Sequence, residues 1–134
     1  MLKLTLEADY ALRMILLLSL SAQKLDAKAL SSEMKVPLRF ALKILRTLCT
    51  SGIIRSVKGA GGGYILALPP EEISLRAVIE AIEGPIRINR CLDDSSICER
   101  VPDKDDCPLH NSFDKINKSL AAELDQIKFD SLIY

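Results

Sequence analysis

The chain has 134 residues and is 49% apolar, enough for a real core in one compact domain with one extra element. It has no tryptophan and only six aromatic residues, so Leu, Ile, Val and Ala must fill that core. The zero net charge hides an asymmetry: residues 1–68 carry ten Lys/Arg against four Asp/Glu, and residues 69–134 carry eight against fourteen. A basic half paired with an acidic remainder points the first half toward phosphate backbones.

The apolar spacing predicts a first helix over residues 5–21, with Tyr10, Ala11, Met14, Ile15, Leu17 and Leu18 on one broad face. Its run MILLLSLSA (14–22) looks like the core of a signal peptide. Glu7 and Asp9 stand where such a peptide needs positive charge, and the run is too short to span a bilayer. The expectation is a cytoplasmic protein with no membrane partner. Its thiols would then stay reduced, so grouped cysteines suggest metal or redox chemistry.

A short second helix follows over 26–33, with Asp26 as its N-cap. Pro37 opens a third helix from its first turn, and the helix stops at Gly52. Ala41, Ile44, Leu45 and Leu48 are its inward positions. IIRSV (53–57) and YILAL (64–68) flank KGAGGG and make a β-hairpin. A fourth helix covers 74–83 and closes at Gly84-Pro85. Pro108 starts a long last helix to about Ile127. Leu109, Phe113, Ile116, Leu120, Leu124 and Ile127 recur on it in steps of 4, 3, 4, 4 and 3, close to a heptad seam. Such a stripe on a terminal helix usually finds a partner, so these six are the candidate dimer interface.

Helix, helix, turn, helix, hairpin is the order of a winged helix-turn-helix. The fold expected is mainly α with a small β-hairpin wing, plus a long C-terminal dimerisation helix. The third helix would enter the major groove of double-stranded DNA. Its outward residues are then Arg39, Phe40, Leu42, Lys43, Arg46 and Thr47, with Arg39, Lys43 and Arg46 on one stripe. Leu42 could meet a thymine methyl or lie half-buried. Lys58, Gly61 and Gly62 at the wing tip suit a phosphate or minor-groove contact, and Lys28 on the second helix completes the candidate DNA surface. GAGGGY is not an NTPase phosphate loop, because it lacks the Gly-Lys-Ser/Thr ending and leads into a strand.

Between the halves lies CLDDSSICERVPDKDDCPLH (91–110), with three of the four cysteines and the only histidine among six acids and two bases. The candidate metal ligands are Cys91, Cys98, Cys107 and His110, spaced C-x6-C-x8-C-x2-H. Structural zinc normally uses a tight Cys pair, which is missing here. Soft thiolates on a long loop suit an iron–sulfur cluster, of two-iron or four-iron type. Zinc or a cluster-free thiol sensor is the alternative. Cys49, on the third helix, reads as a small core residue. No catalytic triad or paired carboxylates stand out, so an enzyme is not expected.

These segments resemble the Rrf2 family of bacterial winged-helix regulators, and in particular its cluster-binding branch of IscR-, NsrR- and RirA-like members. LTLEADYALRMILLLSL is similar to the family's opening helix. SGIIRSVKGAGGGYILA is similar to its wing, ISLRAVIEAIEGP to its connecting helix, and IKFDSLIY to its tail. The resemblance implies a homodimeric repressor on a roughly palindromic operator, with an iron–sulfur cluster near the dimer interface that reports iron, redox or nitric oxide status. It offers three candidates for the fourth ligand. His110 matches the IscR-like position, Asp9 matches the N-terminal carboxylate of NsrR-like members, and Glu7 is a third. The cysteine gaps are longer than in IscR-like proteins. Leu42 replaces a glutamate that reads sequence in them. CymR-like members add another alternative, a regulator acting through a partner enzyme of cysteine synthesis. The expected segments are a DNA-binding domain over 1–84, a cluster loop over 85–107, and a dimerisation helix with tail over 108–134.

Overall fold

The computed structural model describes residues 2–21 and 23–133. Ala22, at the end of the apolar run, and Tyr134, at the end of the tail, lie outside the described residues, as does Met1. Five α-helices and one hairpin follow in chain order: α1 (Leu6–Leu20), α2 (Ala27–Met34), α3 (Leu38–Thr50), β1 (Ile54–Val57), β2 (Gly63–Leu66), α4 (Leu75–Glu83) and α5 (Pro108–Gln126). The helix starts are written locally. The side chains of Thr5, Asp26 and Ser74 accept from the backbone N–H groups of Ala8, Ala29 and Ala77, and so cap α1, α2 and α4. Pro37 is the N-cap of α3 and not a residue of its first turn, because its backbone is extended (ψ 135°). No helix among the described residues is long and apolar enough to cross a membrane.

One core joins α1, α2, α3, the wing and α4. Ala11, Met14, Ile15 and Leu18 from α1 meet Leu30, Val36, Ile54, Ile73 and Val78. All four inward positions of α3, namely Ala41, Ile44, Leu45 and Leu48, are buried. Burial of that face fixes which face of α3 is left to the outside. β1 and β2 pair antiparallel, with Ile54 opposite Leu66 and Val57 opposite Gly63. A third short stretch joins them, as Leu25 and Tyr64 exchange both backbone hydrogen bonds at 3.1 and 2.8 Å. The chain between α1 and α2 is thereby laid along the wing.

Phe40 departs from the expected outward placement. It is half-buried and packs against the core and the Tyr10 ring, with centroids 6.1 Å apart. A ring of that size gains more from apolar cover than from water.

The tail is bonded to the winged half. The Leu75 N–H donates to Ile127 O, and the Phe129 N–H donates to Ile73 O, both at 3.0 Å. These bonds bring Phe129 into the winged core, where it is fully buried. The last residues therefore fold with the segment expected to end at 84. The α5 face turned to the rest of the chain carries Asn117 and Ala121, its two buried residues. On the heptad seam Leu109, Ile116, Leu120 and Ile127 are exposed, at 63% and 55% for the first two, while Phe113 and Leu124 are half-buried. Within one chain, that seam has no full cover.

Candidate nucleic-acid interface and thiol loop

On α3, Arg39, Leu42, Lys43 and Arg46 are exposed on the face opposite the buried stripe. The Arg39 guanidinium lies 4.9 Å from the centroid of the Phe40 ring, so Phe40 acts as a platform for it. Lys43 Nζ is 3.4 Å from Glu7 Oε1, a loose and exposed pair that costs little to open. Asp9 is held by Arg13 at 2.6 Å, and Arg13 also donates to Met34 O. The two N-terminal carboxylates proposed as alternative ligands are thus both engaged in ion pairs of the winged half.

Lys28 and Lys58 are exposed. Gly61 has a φ of +71°, a conformation side chains rarely adopt, and a Cβ there would have only Lys24 Nζ near it, at 3.9 Å. Gly62 is needed for a different reason. A Cβ there would stand 2.4 Å from Val57 O, inside the turn that closes the tip. Its bare backbone first serves the hairpin. Lys24 is a residue that sequence reasoning missed. Its position beside the wing depends on the Leu25–Tyr64 pairing, which links positions far apart in the chain.

The thiol loop is built mostly from side chains bonding to backbone. From α4, Glu80 accepts the Ile86 N–H at 3.0 Å. From α5, the buried Asn117 accepts from the Ile88 N–H at 3.0 Å and donates to Ile86 O at 2.8 Å. The start of the loop is therefore latched to both helices. Further on, Lys104 Nζ donates to Asp93 O and Ser96 Oγ, both at 2.9 Å. The Ser95 backbone N–H, and then its hydroxyl, hold the Asp93 carboxyl below the usual carboxylate range.

Cys107 is the N-cap residue of α5 and is buried. The backbone N–H of His110 and the Arg100 guanidinium, 3.0 Å from its sulfur, pull its thiol below the ordinary value, with a weaker pull from the Leu109 N–H. Cys91 and Cys98 are half-buried, and the Asn89 amide donates to Cys91 Sγ at 3.3 Å. A hollow of about 390 Å³ is lined by Cys91, Asp103, Asp105, His110 and Asp114 among others. His110 Nδ1 is buried without a hydrogen-bond partner. The structure thus brings Cys91 and His110 to one hollow, and Cys107 to Arg100. No three ligating side chains converge among the described residues. Cys49 packs against the core, and burial pushes its thiol up.

The donor set suits a thiolate-held metal group. Three soft sulfurs share one loop, one of them favoured as a thiolate, and His110, whose Nδ1 has no partner, lines the same hollow as Cys91.

Residues 4–134 match the Rrf2 family model, described as an iron-dependent transcriptional regulator. A Haemophilus influenzae protein named as an HTH-type transcriptional regulator is 27% identical over 133 residues, covering 98% of this chain and 86% of its own. Among solved structures, IscR of T. potens is 21% identical with a TM-score of 0.77, covering 98% of this chain and 85% of that one. CymR, the global cysteine regulator of B. subtilis, is 22% identical with a TM-score of 0.80, covering 98% and 96%. At these identities the two structures establish the fold, a winged helix-turn-helix. The family and its named relatives are transcriptional regulators and not enzymes.

Proposed function

Because the chain belongs to the Rrf2 family of helix-turn-helix transcriptional regulators, we propose that it is a cytoplasmic, homodimeric repressor whose operator affinity is set by an iron–sulfur cluster. Cys91, Cys98 and Cys107 are the sulfur ligands in this reading. His110 is favoured as the fourth, since its Nδ1 is unpartnered and it lines the same hollow as Cys91, while Asp9 already faces Arg13. The family's description as iron-dependent supports the iron.

One observation carries the reading: the thiol loop is tied at both ends to the helix that bears the uncovered seam. Asn117 latches its start to α5, and Cys107 is the α5 N-cap. When bound, a cluster supplies a redox-sensitive tie among the three thiols. Cys91, Cys98 and Cys107 would hold that group across the loop, and Asn117 joins the loop's start to α5. Two copies joined along Leu109, Phe113, Ile116, Leu120, Leu124 and Ile127 would then present their α3 helices at one spacing. The thiols are a ligand-biased two-state element. On DNA, Arg39 and Lys43 reach base edges or phosphates; Arg46, Lys28, Lys58 and the wing backbone at Gly61 and Gly62 follow the phosphates.

The test is an absorption spectrum with iron and sulfide assays on protein purified without oxygen, followed by capture of genomic fragments with loaded and metal-free protein. The expected result is a coloured protein whose fragment affinity changes on loading. Cys98→Ala should be colourless and still folded. Lys43→Ala should keep the colour and lower the salt slope of DNA binding by about one. Ile116→Asp should sediment as a monomer. A protein that takes up no iron or sulfide after reconstitution would replace the cluster with zinc or bare thiols and leave the DNA-binding reading standing.

A further inference from the structure

We infer that Arg100 is a positioning residue for the thiolate ligands, whose guanidinium sets the reduction equilibrium of the metal group they hold. The inference rests on the cluster reading above and concerns a residue outside the ligand set.

Arg100 Nη2 donates to Cys107 Sγ at 3.0 Å. That choice of partner is informative. Glu99, Asp103, Asp105 and Asp106 all lie within six residues of Arg100 in the sequence. A guanidinium ordinarily forks onto such a carboxylate. Arg100 belongs to none of the ion pairs found among the described residues. Its charge goes instead to a buried sulfur. Lys104, the other cation between Cys91 and Cys107, cannot take this place, because its ammonium is committed to Asp93 O and Ser96 Oγ.

Cys98 stands two residues before Arg100 in the chain, so a centre held by Cys98 and Cys107 would have this cation close by. Arginine suits the task because its planar fork carries five N–H donors and never loses its charge. Only one of them is bonded to Cys107.

The physical consequence follows from where an added electron's charge goes. A thiolate-held metal centre spreads that charge onto its sulfurs. An N–H donor and a full positive charge against those sulfurs favour the reduced form. Removing Arg100 would shift the equilibrium toward the oxidised form without removing a ligand. The Arg100 side chain belongs to an exposed residue, so its loss leaves the core untouched.

The experiment is a redox titration, followed by absorption, of anaerobically reconstituted wild type, Arg100→Ala, Arg100→Lys and Arg100→Gln, with iron and sulfide assays on each. Arg100→Ala should hold the same iron and sulfide as wild type. Its reduction equilibrium should shift roughly tenfold toward the oxidised form, ~59 mV for a one-electron couple. Arg100→Lys should recover part of the shift by restoring charge. Arg100→Gln, which keeps N–H donors without charge, should recover less. Three variants that titrate together with wild type would overturn the inference and leave the cluster reading intact. So would variants that lose iron while the remaining centre keeps the wild-type potential, since Arg100 would then act in loading alone. A wild type that takes up no iron or sulfide would overturn the cluster reading, and this inference with it.

Discussion

In the winged half, α3 is held by four fully covered side chains, Ala41, Ile44, Leu45 and Leu48. From residue 85 to residue 106, only Leu92 is buried. The first region is ordered by apolar burial, which is non-directional and cooperative. The second is ordered by a set of directional bonds: Asn117 to the Ile86 and Ile88 backbone, Lys104 to Asp93 and Ser96, Arg100 to Cys107. The difference matters for function. A reading head must keep one shape on DNA. A loop that responds to a bound group must be able to change shape at low cost, and regions with few apolar contacts open most easily.

Four substitutions would break or sharpen this contrast. Leu45→Ala should cost about 2–5 kcal/mol in urea unfolding, the range for a large buried side chain cut to a methyl. A cost near zero would mean that α3 is not anchored by its core face. Asn117→Ala should cost about 1–3 kcal/mol, because two backbone groups at the loop's start lose their partner in a part-buried site. Hydrogen exchange should show the Ile88 amide opening faster, while amides of α1 and α3 are unaffected. If protection fell evenly across the molecule, the loop and the winged half would be one cooperative unit. Ser74→Ala should cost about 1 kcal/mol through loss of the α4 cap, seen as a lower melting temperature. Because Ser74 also donates to Asp125 at 3.2 Å, a larger loss would show that this cap joins α4 to α5. Ile97→Ala should change stability by less than ~0.5 kcal/mol, since the side chain is 91% exposed. A clear loss in the dimer alone would place Ile97 in the subunit interface.

Much of the winged half was legible because its signals are local. A capping side chain, a 3.6-residue apolar period and a proline or glycine at a boundary each act within a few residues, and α1 to α4 with the hairpin follow from them. Element ends moved by a residue or two, as at Pro37, where an extended backbone precedes the helix. Phe40 was harder to place, since its type fits either an exposed contact or a half-buried platform. Only the proximity of Tyr10 decides between them. In the loop, the cysteines and His110 could be picked out by residue type. Their partners could not, because the sequence carries several acids that Arg100 could have met before Cys107.

By itself, then, the sequence determined the elements, the inward face of α3, the basic face opposite it and the grouping of the thiols. All of these rest on periodicity and residue chemistry over short stretches. Tertiary structure alone decided that Phe129 returns to the winged core, that Leu25 pairs with Tyr64 and sets Lys24 beside the wing, that Asn117 latches the loop to α5, and that Arg100 turns to a sulfur. Each of these joins positions whose pairing no local pattern encodes. The partner is chosen by which buried group would otherwise be left without a bond or without apolar cover.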